Sequence, residues 1–418
     1  MKHLLISLGL VVVAQTSAQT LKTLADARGI HIGAAVTFPG SPAVYDTTLN
    51  REFNGIVCEN AMKFGSIMTG ENSFSYTGAD AIVNFGVARG MFVRGHNFLW
   101  HKQMPSWFSS TSYTPSRDST FRMMKKYINA VMTHFKGKIN EWDIVNEAVA
   151  RDSVGMRPGT GAFAADQNSK WALLTDAANH NYDYIDSAFA YARRADSTVL
   201  LVYNDYDCEG MGKKSNMVYN IVSGLKSKGL VDVIGLQCHF YVGPSTSGSN
   251  GAWVPSELVT NFQRLAALGL RISLTEVDVR IQTSPAPDAA LLALQRDGYK
   301  TLMSICLAQP ACKSFFTWGV NDAQSWVPGS FSGYGVALLF DNTSSGSPAT
   351  FTRKGTYLGV QEALLATTNL RGLRANGLRL IPLDAHSRGF DLRGRNLSVF
   401  PYNPNFVIRK SITSQHKQ

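Results

Sequence analysis

"INEWDIVNE", residues 139–147, reads as a buried strand that finishes on an amide and a charge, Asn146 and Glu147. Seven further segments have the same character: "GIHIGAAV" (29–36), "FNGIVCENAM" (53–62), "MFVRGHNFLW" (91–100), "TVLLVYNDY" (198–206), "VDVIGLQCHF" (231–240), "LRISLTEVDV" (270–279) and "KSFFTWGV" (313–320). Most run apolar without alternating, as strands do when both faces are covered. Helical patterns lie between them, among them 121–136, 181–196, 256–269 and 288–309, and a last one over 354–368 follows the eighth strand. Eight strand-then-helix units predict an α/β fold, a (β/α)8 TIM barrel with its helices outside. A doubly wound open sheet is the alternative, but no glycine-rich strand-to-helix turn of nucleotide-binding type is present.

In a parallel barrel the C-terminal strand ends face the active site. Polar residues collect at those ends here: Glu59, Asn60 and Lys63; His96, Trp100, His101 and Gln103; Asn146 and Glu147; Asn204 and Tyr206; Gln237 and His239; Glu276 and Asp278; Trp318. Glu147 and Glu276 close the fourth and seventh strands, across the mouth from one another. A facing pair of carboxylates is the minimum apparatus of glycoside hydrolysis, one as proton donor and one as nucleophile or base. Either alone reads equally well as a salt-bridged strand terminus. The clustering at nearly every strand end favours catalysis.

The motifs "RGHNFLWHKQMPSW" (94–107), "WDIVNEA" (142–148), "VYNDYD" (202–207), "GLQCHF" (235–240), "ISLTEVDV" (272–279) and "TWGVNDAQSW" (317–326) resemble, in order, the strand motifs of glycoside hydrolase family 10, the endo-β-1,4-xylanases. The resemblance runs from about Leu21 to Leu365. It implies retaining hydrolysis of xylan and xylo-oligosaccharides, with Glu147 as acid/base and Glu276 as nucleophile. Asn146 then bonds the sugar 2-hydroxyl, and His239 and Asp278 orient the nucleophile and keep it ionised. Glu59, Asn60, Lys63, His96, Trp100, His101, Gln103, Tyr206 and Gln237 become substrate contacts, with Trp318 and Trp326 stacking on sugars. His31, outside any matching motif, reads as a core histidine. No cofactor or metal is implied: His96 and His101 are five apart, whereas a zinc pair on a strand or helix sits two or four apart. A non-catalytic carbohydrate-binding barrel and an enzyme with β-1,4-glucanase side activity are the alternatives.

With 44% hydrophobic and 17% charged residues, the 418-residue chain carries no bias toward disorder. The start "MKHLLISLGLVVVAQTSAQT" has the basic, apolar and small-residue order of a secretory signal, placing the signal at 1–18, the catalytic barrel at 19–368 and a tail at 369–418. An exported chain with no membrane span is expected, acting as a monomer. Cys306 and Cys312 bracket a short proline loop and are the expected disulfide; Cys58, Cys208 and Cys238 read as buried thiols, with a Cys208–Cys238 bridge the alternative. The charge is concentrated at the end: nine basic residues against Asp384 and Asp391 from Arg371 onward supply +7 of the net +10. Basicity confined to a tail argues against nucleic acid as partner. The tail's "FDLRGRNL" and "NFVIRK" resemble the end of type IX secretion sorting domains, which would make the secretion machinery a partner. A solvated basic extension accounts for the same residues.

Overall fold

Eight strands, each expected from the sequence, pair side by side in parallel: β1 (His31–Val36), β2 (Gly55–Cys58), β3 (Phe92–Gly95), β4 (Glu141–Asn146), β5 (Leu200–Asp205), β6 (Val233–Leu236), β7 (Arg271–Gln282) and β8 (Cys312–Thr317). Pairing of β8 with both β1 and β7 closes the ring. These features belong to a computed structural model that describes residues 19–37, 42–150, 155–161, 167–176, 182–242, 252–253, 255–366 and 408–410. The expected signal at 1–18 lies outside the described residues, as does the tail apart from a short strand, Ile408–Lys410. Among the described residues no helix is long and apolar enough to cross a membrane.

A helix follows each strand: Ala43–Glu52, Thr77–Val87, Arg117–His134, Asp183–Ala195, Lys213–Ser227, Pro255–Ala267, Ala289–Ala308 and Gly355–Leu365. The third begins at Ser116, whose side chain accepts from the Ser119 N–H, and the seventh at Asp288, which accepts from Leu291 N at 2.8 Å. Such caps satisfy amides that the helix leaves unbonded, so helix starts are set by short polar residues just outside the apolar pattern.

The strands are shorter than their apolar runs. The segment 53–62 is strand only over Gly55–Cys58, and 231–240 divides into Val233–Leu236 and His239–Tyr241. Glu59 and Asn60 thus fall beyond β2 and Gln237 beyond β6, while His239 opens the short strand that follows. β7 is the exception and outruns its pattern. Beyond the ring, Asp278–Arg280 pairs with His239–Tyr241, and Ile281–Gln282 pairs with Tyr334–Gly335.

The expected disulfide joins Cys306, near the end of the seventh helix, to Cys312 at the start of β8, with Cα atoms 5.3 Å apart. Cys58, Cys208 and Cys238 are free and buried, so the alternative bridge is not formed.

Inside the ring, Phe316 from β8 is fully buried beside Gly33 of β1 and Gly55 of β2, which are direct cross-strand partners. A Cβ on Gly33 would stand 2.2 Å from the Phe316 ring, and one on Gly55 2.5 Å. The two glycines therefore make the room the phenyl ring occupies, and together with Ala35, Val57 and Trp318 this cluster carries the floor of the mouth. Gly33→Ala should overpack the ring and cost about 1–3 kcal/mol in denaturant unfolding. An unchanged unfolding midpoint would contradict this packing.

Candidate active site

The C-terminal mouth of the barrel holds a cleft of about 340 Å³. It is lined by every site residue anticipated from the strand ends except Asn204 and Asp278, which lie immediately behind it. Glu147 follows β4 and Glu276 lies within β7. Each sits beside a register shift: one extra residue of β4 between Asp143 and Val145 against β5, and one extra residue of β7 between Leu274 and Val277 against β8. An extra residue bends a strand and re-aims its side chains, a device common beside active sites. Glu147 itself has φ 58°, a left-handed backbone unusual for its residue type, and its N–H is held by Asn204 O at 2.8 Å.

The two glutamates are joined by a bridge of amides. Asn204 Nδ2 donates to Glu276 Oε1 at 2.7 Å and to Asn146 Oδ1 at 2.9 Å. Gln237 Nε2 donates to the same Asn146 oxygen and to Glu147 Oε1, both at 3.2 Å. Thr275 donates to Asn204 Oδ1 at 2.7 Å, which fixes the amide's orientation.

The surroundings of the two carboxylates differ. Glu276 Oε2 faces His239 Nε2 at 3.2 Å, while His239 Nδ1 faces Asp278 Oδ2 at 2.8 Å. Burial opposes a charge on this imidazole, but the two carboxylates outweigh it and raise His239 to about 10. It is therefore an imidazolium at neutral pH, with both N–H groups donating. Trp326 Nε1 also donates to Asp278 Oδ2, at 2.8 Å, so this tryptophan is tied to the support of Glu276 while its ring lines the cleft.

Around Glu147, Arg157 Nη2 and His101 Nδ1 stand off Oε2 at 3.7 and 3.9 Å. The Trp100 indole N–H faces the carboxylate without closing a hydrogen bond. Burial would raise this carboxyl, but Arg157, with help from Trp100 and Gln237, holds it below the usual carboxylate range. His101 is kept neutral by its own burial, which pushes its imidazole well below the ordinary value.

The remaining anticipated contacts divide by strand. Lys63 Nζ donates to Asn60 Oδ1 at 2.9 Å and lies 4.8 Å from the Trp100 ring; Gln103 Nε2 reaches the same Asn60 oxygen at 3.2 Å. Glu59 stands beside this group at the end of β2, its carboxyl raised by burial despite Lys63. His96 is turned by Asp143, whose Oδ2 lies 2.7 Å from Nδ1, and its ring meets Trp318 edge-on at 4.9 Å. Tyr206 lies on the other side, its ring 3.4 Å from Lys214 Nζ, and Lys214 is itself paired with Asp205 at 2.7 Å. His31 is at the opposite end of the barrel, stacked on Phe92 with centroids 4.1 Å apart.

Sequence reasoning missed Arg157, Gln167 and Lys214. None ends a strand: the first two come from the long connection after β4, and the third from the first turn of a helix. Among the described residues no cluster of histidine, cysteine and acidic side chains is arranged to hold a metal.

Because His239 is raised above its ordinary value of roughly 6.5, its charge contributes stability fully below that pH, and the contribution is lost as pH rises through about 10. His239→Gln should therefore lower the thermal midpoint most near pH 6 and least near pH 10. A deficit that grows with pH would contradict the imidazolium assignment.

Comparison with known proteins gives the same outline. The family model described as Glycosyl hydrolase family 10 matches residues 20–354. Endo-1,4-beta-xylanase B of Thermotoga neapolitana is 33% identical over 353 residues, covering 83% of this chain and 94% of its own. Endo-1,4-beta-xylanase A of Phanerodontia chrysosporium is 32% identical over 353 residues, covering 83% and 78%. Among solved structures, xylanase 10B from Thermotoga petrophila RKU-1 in complex with xylobiose has a TM-score of 0.72 and 34% identity, covering 82% of this chain and 97% of that one.

Proposed function

The chain belongs to glycosyl hydrolase family 10, and on that premise we propose that it is a retaining, endo-acting β-1,4-xylanase with Glu276 as nucleophile and Glu147 as acid/base. The observation that carries this reading is the unequal treatment of two glutamates in one cleft. Both oxygens of Glu276 accept from firm donors, Asn204 and the His239 imidazolium, which hold this carboxylate in one fixed orientation. Among the described residues Glu147 Oε2 meets its nearest cationic groups only at 3.7 and 3.9 Å, which leaves it able to meet a leaving oxygen or a water.

In the first step Glu276 attacks the anomeric carbon while Glu147 gives its proton to the departing glycosidic oxygen. Water then enters, gives a proton to Glu147 and cleaves the ester at the anomeric carbon, restoring both groups. Asn146 lies between the two carboxylates, where a 2-hydroxyl of the reacting sugar would sit. The grips at β2 and β3 (Glu59, Asn60, Lys63, Gln103) lie around the ring from those beyond β4 and β5 (Gln167, Tyr206). Contacts on both sides of the scissile bond support cleavage within a chain.

We also read the protein as exported, in keeping with its leader-like start and with the Cys306–Cys312 bridge, a bond that persists in oxidising compartments. The segment 369–418 is read as a sorting extension, since the family match ends at 354 and the last barrel helix at Leu365. Truncation after Thr368 should leave xylan hydrolysis within about twofold of the full chain while abolishing export. Normal export of the truncated chain would refute the sorting role.

Wild type should release reducing sugar from xylan, and Glu276→Ala should reduce this to background on every substrate. Glu147→Ala should lose about 10²–10⁴-fold on xylan, yet keep a near-normal first step on an aryl xylobioside whose leaving group needs no proton. A wild type that releases no sugar above background would leave only a binding protein, equal release by wild type and Glu276→Ala would remove Glu276 as the nucleophile, and equal losses of Glu147→Ala on both substrates would remove it as the acid.

A further inference from the structure

Arg157 is almost wholly buried, at 1% exposure, in the cleft, and it comes from the connection after β4 rather than from a strand end. Its guanidinium is held from several directions. Nε donates to the Glu147 carbonyl at 2.5 Å, Nη2 donates to the Tyr206 hydroxyl at 3.0 Å, and Nη1 donates to Gln167 Oε1. Its own backbone N–H bonds Ala148 O at 2.8 Å, so the segment carrying it is tied back onto the exit of β4. Tyr206 is in turn fixed by the Lys214–Asp205 pair beneath it. Four anchors place a charge that cannot be neutralised 3.7 Å from Glu147 Oε2.

The other charged or titratable groups facing Glu147 act more weakly or are neutral. Lys63 comes from the exit of β2, His101 and Lys102 from the exit of β3, Asp205 and Tyr206 from β5, and Glu276 is reached through the amide bridge from β7. His101, the only one of these with an ion-pair distance to Glu147, is held neutral by burial. Among the described residues Arg157 is thus the nearest permanent cation. It also grips the carbonyl of a residue whose backbone is left-handed, and so restrains the main chain that aims the carboxyl.

We propose that Arg157 is a positioning residue for Glu147: through the carbonyl it fixes where the carboxyl points, and through its charge it sets the pH above which Glu147 can no longer donate a proton. This deepens the assignment of Glu147 as acid/base and rests on it. A nearby cation favours the carboxylate, which helps Glu147 act as base toward water but narrows the range over which it serves as acid. Without that charge the carboxyl stays protonated to higher pH, so the basic limb of kcat/KM, which reports the free enzyme's acid, moves upward.

The test is the pH dependence of kcat/KM on an unactivated xylo-oligosaccharide for wild type, Arg157→Met and Arg157→Lys, each confirmed folded by its thermal midpoint. Arg157→Met should move the basic limb up by about 1 pH unit, and Arg157→Lys, which keeps the charge but loses the fork, should stay near wild type. On an aryl xylobioside that needs no acid, the displacement should vanish from the first step. Identical limbs in all three proteins, or the same displacement in Arg157→Lys as in Arg157→Met, would overturn the proposal. If Arg157→Met does not fold, Tyr206→Phe replaces it. Losing the phenol frees Nη2 to close on Glu147, so the limb should fall, and an unmoved limb overturns the proposal equally. A wild type inactive on xylan would instead defeat the functional reading, whereas an active wild type with unmoved limbs defeats only this inference.

Discussion

His239 stands between two carboxylates, with Nε2 toward Glu276 and Nδ1 toward Asp278, and nearly everything at the mouth depends on that clamp. Glu276 and Asp278 are two apart on β7, the spacing that puts side chains on one face of a strand. Two buried negative charges so close together would be costly without a cation between them. The imidazolium supplies it and spends both of its N–H groups doing so, which fixes the ring and both acids at once. The extension of β7 beyond the ring exists to pair with His239–Tyr241, so the strand that presents the nucleophile also carries the backbone that positions its clamp.

A second buried charge system supports the opposite wall. Arg94 is fully buried on β3, its Nε on Glu141 Oε1 at 2.5 Å and Nη2 on Asp143 Oδ1 at 2.7 Å, and Asp143 turns His96 toward the cleft. Glu141 is tied to Ser273 of β7 at 3.2 Å, so the column bridges the barrel interior from one side to the other. Removing a single partner from such a column would leave a charge uncompensated in the core, which costs far more than the intact pair contributes. The column also accounts for "INEWDIVNE" carrying three acids in a strand that is buried throughout: Glu141 and Asp143 point into the barrel toward Arg94, and Glu147 emerges at its end.

The barrel was legible because it depends on two local signals, continuous apolar runs and polar residues where those runs stop. "TVLLVYNDY" displays both, and its strand, Leu200–Asp205, falls within one or two residues of the run's ends. Strand lengths were less legible: apolar residues such as Met62 and Phe98 extend the pattern past the ladder because they too are buried, Phe98 against Tyr127 and Trp142. The register shifts just before Glu147 and around Glu276 carry no glycine or proline to announce them. Arg157 and Lys214 were invisible for a different reason. In sequence, an arginine in a long connection and a lysine opening a helix look like solvated surface charge, and only the folding of those segments over the mouth buries them. Disulfide pairing was readable because Cys306 and Cys312 are close in sequence, whereas the free state of Cys208 and Cys238 depended on backbone placement across neighbouring strands.

The division of labour between the two glutamates is the claim on which the account turns. It is tested most directly by incubating the protein with a 2-deoxy-2-fluoro-β-xylobioside bearing an activated leaving group, then locating the attached sugar by peptide mass spectrometry. The electron-withdrawing fluorine slows both steps, and the activated leaving group lets the first outrun the second, so the glycosyl ester accumulates. The account predicts one xylobiosyl group per chain, on the peptide containing Glu276. A label on Glu147, or hydrolysis of the reagent at an undiminished rate with no labelled peptide, would contradict it.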